Sequence, residues 1–282
     1  MPTVPRGQGI VLDFTRTIRY ACSRPTSAHE SSRMPRSRLP GMRKEKGRRA
    51  VEVIYVCEYD QTLTSDQLLD WAVRCGDKTL FAGQEPQVGG AARVRMCCEG
   101  KKWQKFRERL IAWLLLGYAF QKEYGLLPEE LAISRTEKGK PYSASHPEYY
   151  FNLSHCSAAC ACVLSEREVG IDVERRFPFR LSLARRICTP GEWEQIMRFD
   201  GAKRERLLQV AWSMKESYVK KNGQGIGYGV ERVDVTACLK NGRQDGYLVR
   251  SEERYTLAVC GARQEDVVCT VPEAKLLPPE HR

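Results

Sequence analysis

Apolar positions along the chain fall into two rhythms. Val51 to Val56 is a nearly continuous β-branched run and predicts a buried strand, whereas Thr64 to Val73 and Trp103 to Tyr124 repeat at three- and four-residue spacing and predict helices. Strands are expected near Leu131 to Ser134, Tyr150 to Leu153, Ala158 to Leu164 and Val169 to Val173. Thr189-Pro190-Gly191-Glu192 reads as a capping box with proline at the first helical position, opening a helix that ends near Phe199. A longer helix from Ala202 to Lys221 stops at Asn222-Gly223. Strands at Arg232 to Leu239, Gly246 to Arg250, Tyr255 to Cys260 and Val267 to Val271 complete the pattern.

The fold class expected is therefore α+β, in two similar halves. Ala112-Trp113 and Ala211-Trp212 sit in the long helix of each half, 99 positions apart, a hint of duplication. The expected organisation is a disordered basic extension over 1–48, an N-terminal lobe over 49–155, a C-terminal lobe over 156–272 and a flexible tail over 273–282.

Charge changes the picture only at one end. Of the net +11, residues 1–50 hold +9 and the remaining 232 residues only +2, so the body of the protein is nearly neutral. The basic segment carries five prolines and no apolar period, which makes disorder its default. It is read first as dispensable, with translation starting at Met34 or Met42, second as a targeting segment, and third as a nucleic-acid tail. No specific nucleic-acid partner is expected. Leu110 to Phe120 is too short to span a membrane, so no membrane is expected either. Twelve cysteines without zinc-like spacing, two of them (Cys160 and Cys162) on one face of a strand, read as reduced thiols in a cytoplasmic protein.

Two segments concentrate chemistry. In Gly170-Ile171-Asp172-Val173-Glu174 the strand alternation puts both carboxylates on one side, roughly 6 to 7 Å apart at the backbone. In Trp212-Ser213-Met214-Lys215-Glu216-Ser217-Tyr218-Val219-Lys220, helical spacing lines up Trp212, Glu216 and Lys220, with Lys215 beside them. Three oxygen donors suit magnesium shared with a phosphate, and the lysines suit the phosphate oxygens. A solvated strand edge and a charged outer helix face would show the same residues, so neither segment is decisive alone. Of the four histidines, His29 and His281 lie in terminal segments, and a histidine beside a phosphate dianion would have its protonated form favoured.

Lys138-Gly139-Lys140-Pro141-Tyr142 and Phe151-Asn152-Leu153-Ser154-His155 precede them, and the four segments in this order resemble the 4'-phosphopantetheinyl transferase superfamily, specifically its larger, surfactin-type enzymes. The resemblance covers roughly Val51 to Ala262, with Asp172 and Glu216 44 positions apart. It implies two pseudo-symmetric α/β lobes with the active site in the cleft between them, and a monomer. It implies transfer of 4'-phosphopantetheine from coenzyme A to a serine of an apo acyl or peptidyl carrier protein, releasing adenosine 3',5'-bisphosphate. A degenerate coenzyme A or nucleotide-binding regulator is the alternative. By resemblance, Asp172, Glu174 and Glu216 hold magnesium, Glu216 is also the base, and Lys215 and Lys220 contact the pyrophosphate. Ser154, His155 and Lys140 bind phosphate, His155 the 3'-phosphate, while Lys138 and Gly139 border the adenine. The family also uses a base at the start of the first long helix; ungapped matching puts Glu108 there, leaving Arg107 or Arg109 within a cluster that includes Arg93, Arg95, Lys101, Lys102 and Lys105.

Overall fold

The near-continuous apolar strands form the middle of a layered molecule, each face of them buried against something different. The computed structural model describes residues 52–75, 101–225 and 229–277. The expected extension over 1–48, Arg93 and Arg95 lie outside the described residues, as do the side chains of Lys101 and Lys102.

β1 (Val53–Glu58) leads into α1 (Ser65–Cys75); α2 (Lys101–Tyr124) is followed by the hairpin β2 (Ile133–Arg135) and β3 (Pro141–Ser143), then β4 (Tyr150–His155), β5 (Ala159–Ser165) and β6 (Gly170–Arg175). Three helices follow, α3 (Leu181–Ile187), α4 (Pro190–Met197) and α5 (Gly201–Asn222), then α6 (Thr236–Asn241), β7 (Tyr247–Ser251), β8 (Tyr255–Cys260) and β9 (Val268–Thr270). One sheet has the order β4-β5-β1-β9, with β9 parallel to β1 and the other pairs antiparallel. A second, antiparallel sheet has the order β6-β8-β7.

Alternation along the strands builds three cores. Tyr55, Cys57, Cys160, Cys162 and Leu164 pack on one side of the first sheet with α1 and α2, through Leu68, Trp71, Leu115 and Phe120. Ile54, Val56, Ala161 and Val163 face the opposite way and meet Ile171, Val173, Leu257 and Val259 of the second sheet. Tyr247, Ala258 and Cys260 point out of the second sheet onto α5, where Leu208, Ala211 and Met214 close the third core. The layers are thus helix, sheet, sheet, helix, which is α+β as expected.

Several expectations are corrected. β5 does not open a second half: it is hydrogen-bonded between β4 and β1, so the boundary expected between His155 and Cys156 runs through one sheet. Residues 49–282 form one compact unit. The strand expected over Arg232 to Leu239 is a 3-10 turn at Val230–Arg232 followed by α6, because Asp234 Oδ1 accepts from Thr236 N at 2.9 Å and from its hydroxyl at 2.6 Å, which turns the chain. The tail is not flexible at its start: Glu273–Lys275 is a 3-10 turn, with Glu273, Leu276 and Leu277 buried. Residues 278–282 lie outside the described residues. Eight cysteines, Cys160 and Cys162 among them, are free thiols, and six of these are buried.

Candidate active site

β4 and β6 are the edge strands of the two sheets, and they lie side by side. The side chain of Asn152 on β4 accepts from the backbone N–H of Ile171 on β6 at 3.0 Å, so an amide closes the seam where the two ladders end. Two residues further on, Ser154 Oγ donates to Asp172 Oδ1 at 3.2 Å. The partner of Asn152 is a backbone group on another sheet, a role that no local sequence pattern could reveal.

α5 lies across β6 at a distance only glycine permits. A Cβ at Gly170 would stand 2.1 Å from the carbonyl oxygen of Ser217 and 2.3 Å from the backbone nitrogen of Lys221. This approach delivers Lys220, whose ammonium donates to Asp172 Oδ1 at 2.7 Å and to Ser154 Oγ at 2.9 Å. The helix ends at Gly223 in the left-handed conformation, the stop read from Asn222-Gly223.

Asp172 is buried, and its second oxygen, Oδ2, has no hydrogen-bond partner. Glu174 and Glu216 are half-buried. Burial first, then the charge of Asp172, pushes both carboxyls above the ordinary glutamate range; Lys220 pulls both back, as does a hydrogen bond from Trp212 for Glu174. Among the described residues no three His, Cys, Asp or Glu side chains are gathered closely enough to hold a metal ion as they stand. The donor chemistry nevertheless suits a hard cation, because an orphaned buried carboxylate oxygen faces the field of two further carboxylates.

His155 ends β4 beside this group. Its ring is pushed down to about 4 by burial, then by the charges of Lys220 and Arg109, so the imidazole is neutral near pH 7. Arg109, half-buried on α2, is therefore the base of that helix within electrostatic reach of His155. Arg107 is not: it is buried, its guanidinium binds both oxygens of Glu273 at 2.9 and 2.8 Å, and it ties α2 to the C-terminal 3-10 turn. Arg107, expected from the sequence to meet a nucleotide phosphate, is instead committed to this internal pair.

Lys215 is corrected too. It is fully buried on the opposite face of α5, where its ammonium donates to the carbonyls of Ile187, Val230 and Val233 at 2.7, 3.2 and 2.6 Å and pairs with Glu192 at 2.8 Å. Glu192 is the expected capping-box residue: its Oε2 accepts from Thr189 N and its Oε1 from Val235 N, both at 2.8 Å. This ammonium has no donor left for a phosphate.

Lys140 stands apart from the Asp172 group, donating to Glu168 at 2.5 Å and to the carbonyl of Lys221 at 2.6 Å. Lys138 and Gly139 are exposed at the β2–β3 turn, where Gly139 has φ +88° and its N–H reaches the Thr136 carbonyl at 2.8 Å. A cavity of about 530 Å³ lies between this hairpin and β4, with Arg135, Lys140, Tyr149 and Tyr150 among its walls.

Comparison with known proteins agrees with the chemistry. Residues 168–271 match the family model of the 4'-phosphopantetheinyl transferase superfamily. The chain is 29% identical over 202 residues to a 4'-phosphopantetheinyl transferase of Bacillus subtilis, covering 67% of this chain and 90% of that protein. It is 28% identical over 166 residues to the 4'-phosphopantetheinyl transferase Sfp of Bacillus subtilis strain 168, covering 55% and 74% of the two chains. A phosphopantetheinyl transferase of Thraustochytrium is 32% identical over 198 residues, 61% of this chain and 66% of its own.

Proposed function

We propose that this chain, which belongs to the 4'-phosphopantetheinyl transferase superfamily, transfers the 4'-phosphopantetheine group from coenzyme A to a serine hydroxyl of an apo acyl or peptidyl carrier protein. The observation that carries the reading is the joining of three separate motifs at one point, Ser154 of β4, Asp172 of β6 and Lys220 of α5.

In the reaction the serine oxygen bonds to the phosphorus that bears the pantetheine arm, and the bond from that phosphorus to the bridging oxygen breaks. Adenosine 3',5'-bisphosphate leaves. Glu216, raised above the ordinary carboxylate range by burial and Asp172, accepts the serine proton directly or through water. Lys220 and Ser154 offer donors to the pyrophosphate oxygens, and Lys220 stabilises the leaving charge. His155 receives the 3'-phosphate, whose charge brings its ring back to the protonated form. Lys140 adds a further phosphate donor by exchanging Glu168 for the ligand, and Lys138 and Gly139 border the adenine beside the hairpin cavity. Asp172, Glu174 and Glu216 would hold magnesium, which supplies charge neutralisation at the pyrophosphate when bound. Lobes on either side of a cleft, a monomeric state and a cytoplasmic location belong to the same proposal. No helix among the described residues is long and apolar enough to cross a membrane.

The alternative of a regulator that only binds loses its ground, because Asp172, Glu216, Lys220 and Ser154 are all present and the relatives are named as transferases. The test is direct: incubation with coenzyme A, magnesium chloride and a panel of apo carrier proteins adds the phosphopantetheine mass to at least one carrier. A panel left unmodified, with coenzyme A bound but intact, would return the protein to the regulators.

A further inference from the structure

One buried carboxylate has no part in the reaction described above. Glu108 lies on α2, 6% exposed, at the position where the family resemblance leads one to expect an arginine. Its Oε1 accepts from Gln104 Nε2 at 3.2 Å. Its Oε2 faces Nδ1 of His155 at 3.6 Å, and that nitrogen is buried without a hydrogen-bond partner.

A separation of 3.6 Å is longer than a hydrogen bond, and a small rotation of either side chain closes it. The ring itself then decides the geometry. An imidazole has two distinct nitrogens, and fixing the N–H of one on a carboxylate settles where the other points. Among the described residues, the other charges acting on His155 are Lys220 on α5 and Arg109 on α2, both cations and both opposed to an imidazolium. Among the described residues, Glu108 is therefore placed to orient the ring and support a positive charge on it.

We propose that Glu108 is a positioning residue, holding the imidazole of His155 through Nδ1 so that Nε2 presents its N–H to a phosphate group of the donor substrate. The proposal rests on the reading that His155 binds the 3'-phosphate of coenzyme A. When that phosphate arrives, the imidazole takes one proton from solvent; Glu108 remains a carboxylate and becomes the counter-ion on the far side of the ring. An acidic residue in place of the expected arginine thus acts on the phosphate through the histidine, and Arg109 supplies the positive charge of that helix.

The experiment compares the Michaelis constants for coenzyme A and 3'-dephospho-coenzyme A in the wild type, Glu108→Gln, Glu108→Leu and His155→Ala, with one carrier protein throughout. Loss of a charge-assisted hydrogen bond predicts about a tenfold rise for coenzyme A in Glu108→Leu, with the 3'-dephospho donor changed less than about twofold. Glu108→Gln, which keeps an acceptor oxygen and the side-chain volume, falls between; it carries the test alone if the leucine variant does not fold. Equal rises for both donors, or no rise for either, overturn the proposal, because a merely structural role does not distinguish a 3'-phosphate. If His155→Ala loses the preference for coenzyme A while both Glu108 variants keep it, the phosphate reading stands and this proposal alone is wrong. If His155→Ala keeps the preference, the phosphate reading itself fails, and the proposal with it.

Discussion

Lys215 and Lys220 of α5 do opposite work, and the five-residue step between them turns about 140° around the helix. Lys220 reaches Asp172 and Ser154 with its stem half exposed, whereas Lys215 is sealed with Glu192 and three carbonyls. Removing one member of a fully buried ion pair leaves an uncompensated charge at a cost of roughly 3–5 kcal/mol. Lys215→Met is thus expected to lower the urea midpoint strongly, and Lys215→Met combined with Glu192→Gln to recover part of the loss. Lys220→Ala, by contrast, removes a partly exposed partner of Asp172 and should lower the midpoint less than Lys215→Met, while raising the Michaelis constant for coenzyme A and lowering turnover together. If Lys215→Met kept its stability and lost coenzyme A binding, the buried strut would be the wrong account. Residue types and spacing were legible in the sequence here, whereas the meeting of Asp172, Ser154 and Lys220 depends on how β4, β6 and α5 pack. Which neighbour of Glu216 faces the chemistry was not, because burial of a lysine depends on acceptors contributed by Ile187, Glu192, Val230 and Val233, all remote along the chain.

Elements fix how close these side chains come. Gly170 is needed because α5 crosses β6 backbone to backbone, so Gly170→Ala must push the helix away from the strand rather than displace a flexible side chain. A destabilisation of about 1–3 kcal/mol is expected from such overpacking. Turnover should fall further than stability alone explains, since the same shift separates Lys220 and Glu216 from Asp172. Thermal melting and kcat/KM measured on the same preparation check this; an active variant with wild-type kcat/KM would show that the close approach is dispensable. Most element types and many boundaries were readable from apolar rhythm, β8 at Tyr255–Cys260 and the Thr189 capping box among them. What rhythm could not supply is partnership. Nothing local in Ala159–Ser165 tells that strand to pair with β1, some hundred residues earlier, and the alternating Val233 and Val235 imitate a strand until the Asp234–Thr236 hydrogen bonds turn the chain into α6.

At the scale of the molecule, stability and chemistry meet in the carboxylates gathered around Asp172. Burial and the charge of Asp172 raise Glu174 and Glu216 above their ordinary range, so in the folded protein they hold protons more tightly than in the unfolded chain. Their contribution to stability is therefore fully present below the ordinary carboxylate range and is lost as pH rises through the raised folded values. At neutral pH both are a liability to the metal-free fold, and Glu216→Gln, which keeps the shape and removes the charge, is expected to raise the melting temperature in excess chelator. The advantage should shrink as the pH is lowered through the raised range into the ordinary carboxylate range, as the wild-type side chain takes up its own proton. Magnesium reverses the order: if the cation sits among these carboxylates it stabilises the wild type by mass action, and the glutamine variant, one anionic ligand short, gains less. Chelation should likewise abolish transfer by the wild type, and Glu216→Gln should turn over poorly even at saturating coenzyme A and magnesium. Melting curves with and without magnesium at two pH values, run beside the transfer assay, separate the possibilities. A glutamine variant that melts like the wild type in chelator would show that Glu216 is not under electrostatic strain. Equal gains from magnesium in both proteins would place the cation elsewhere.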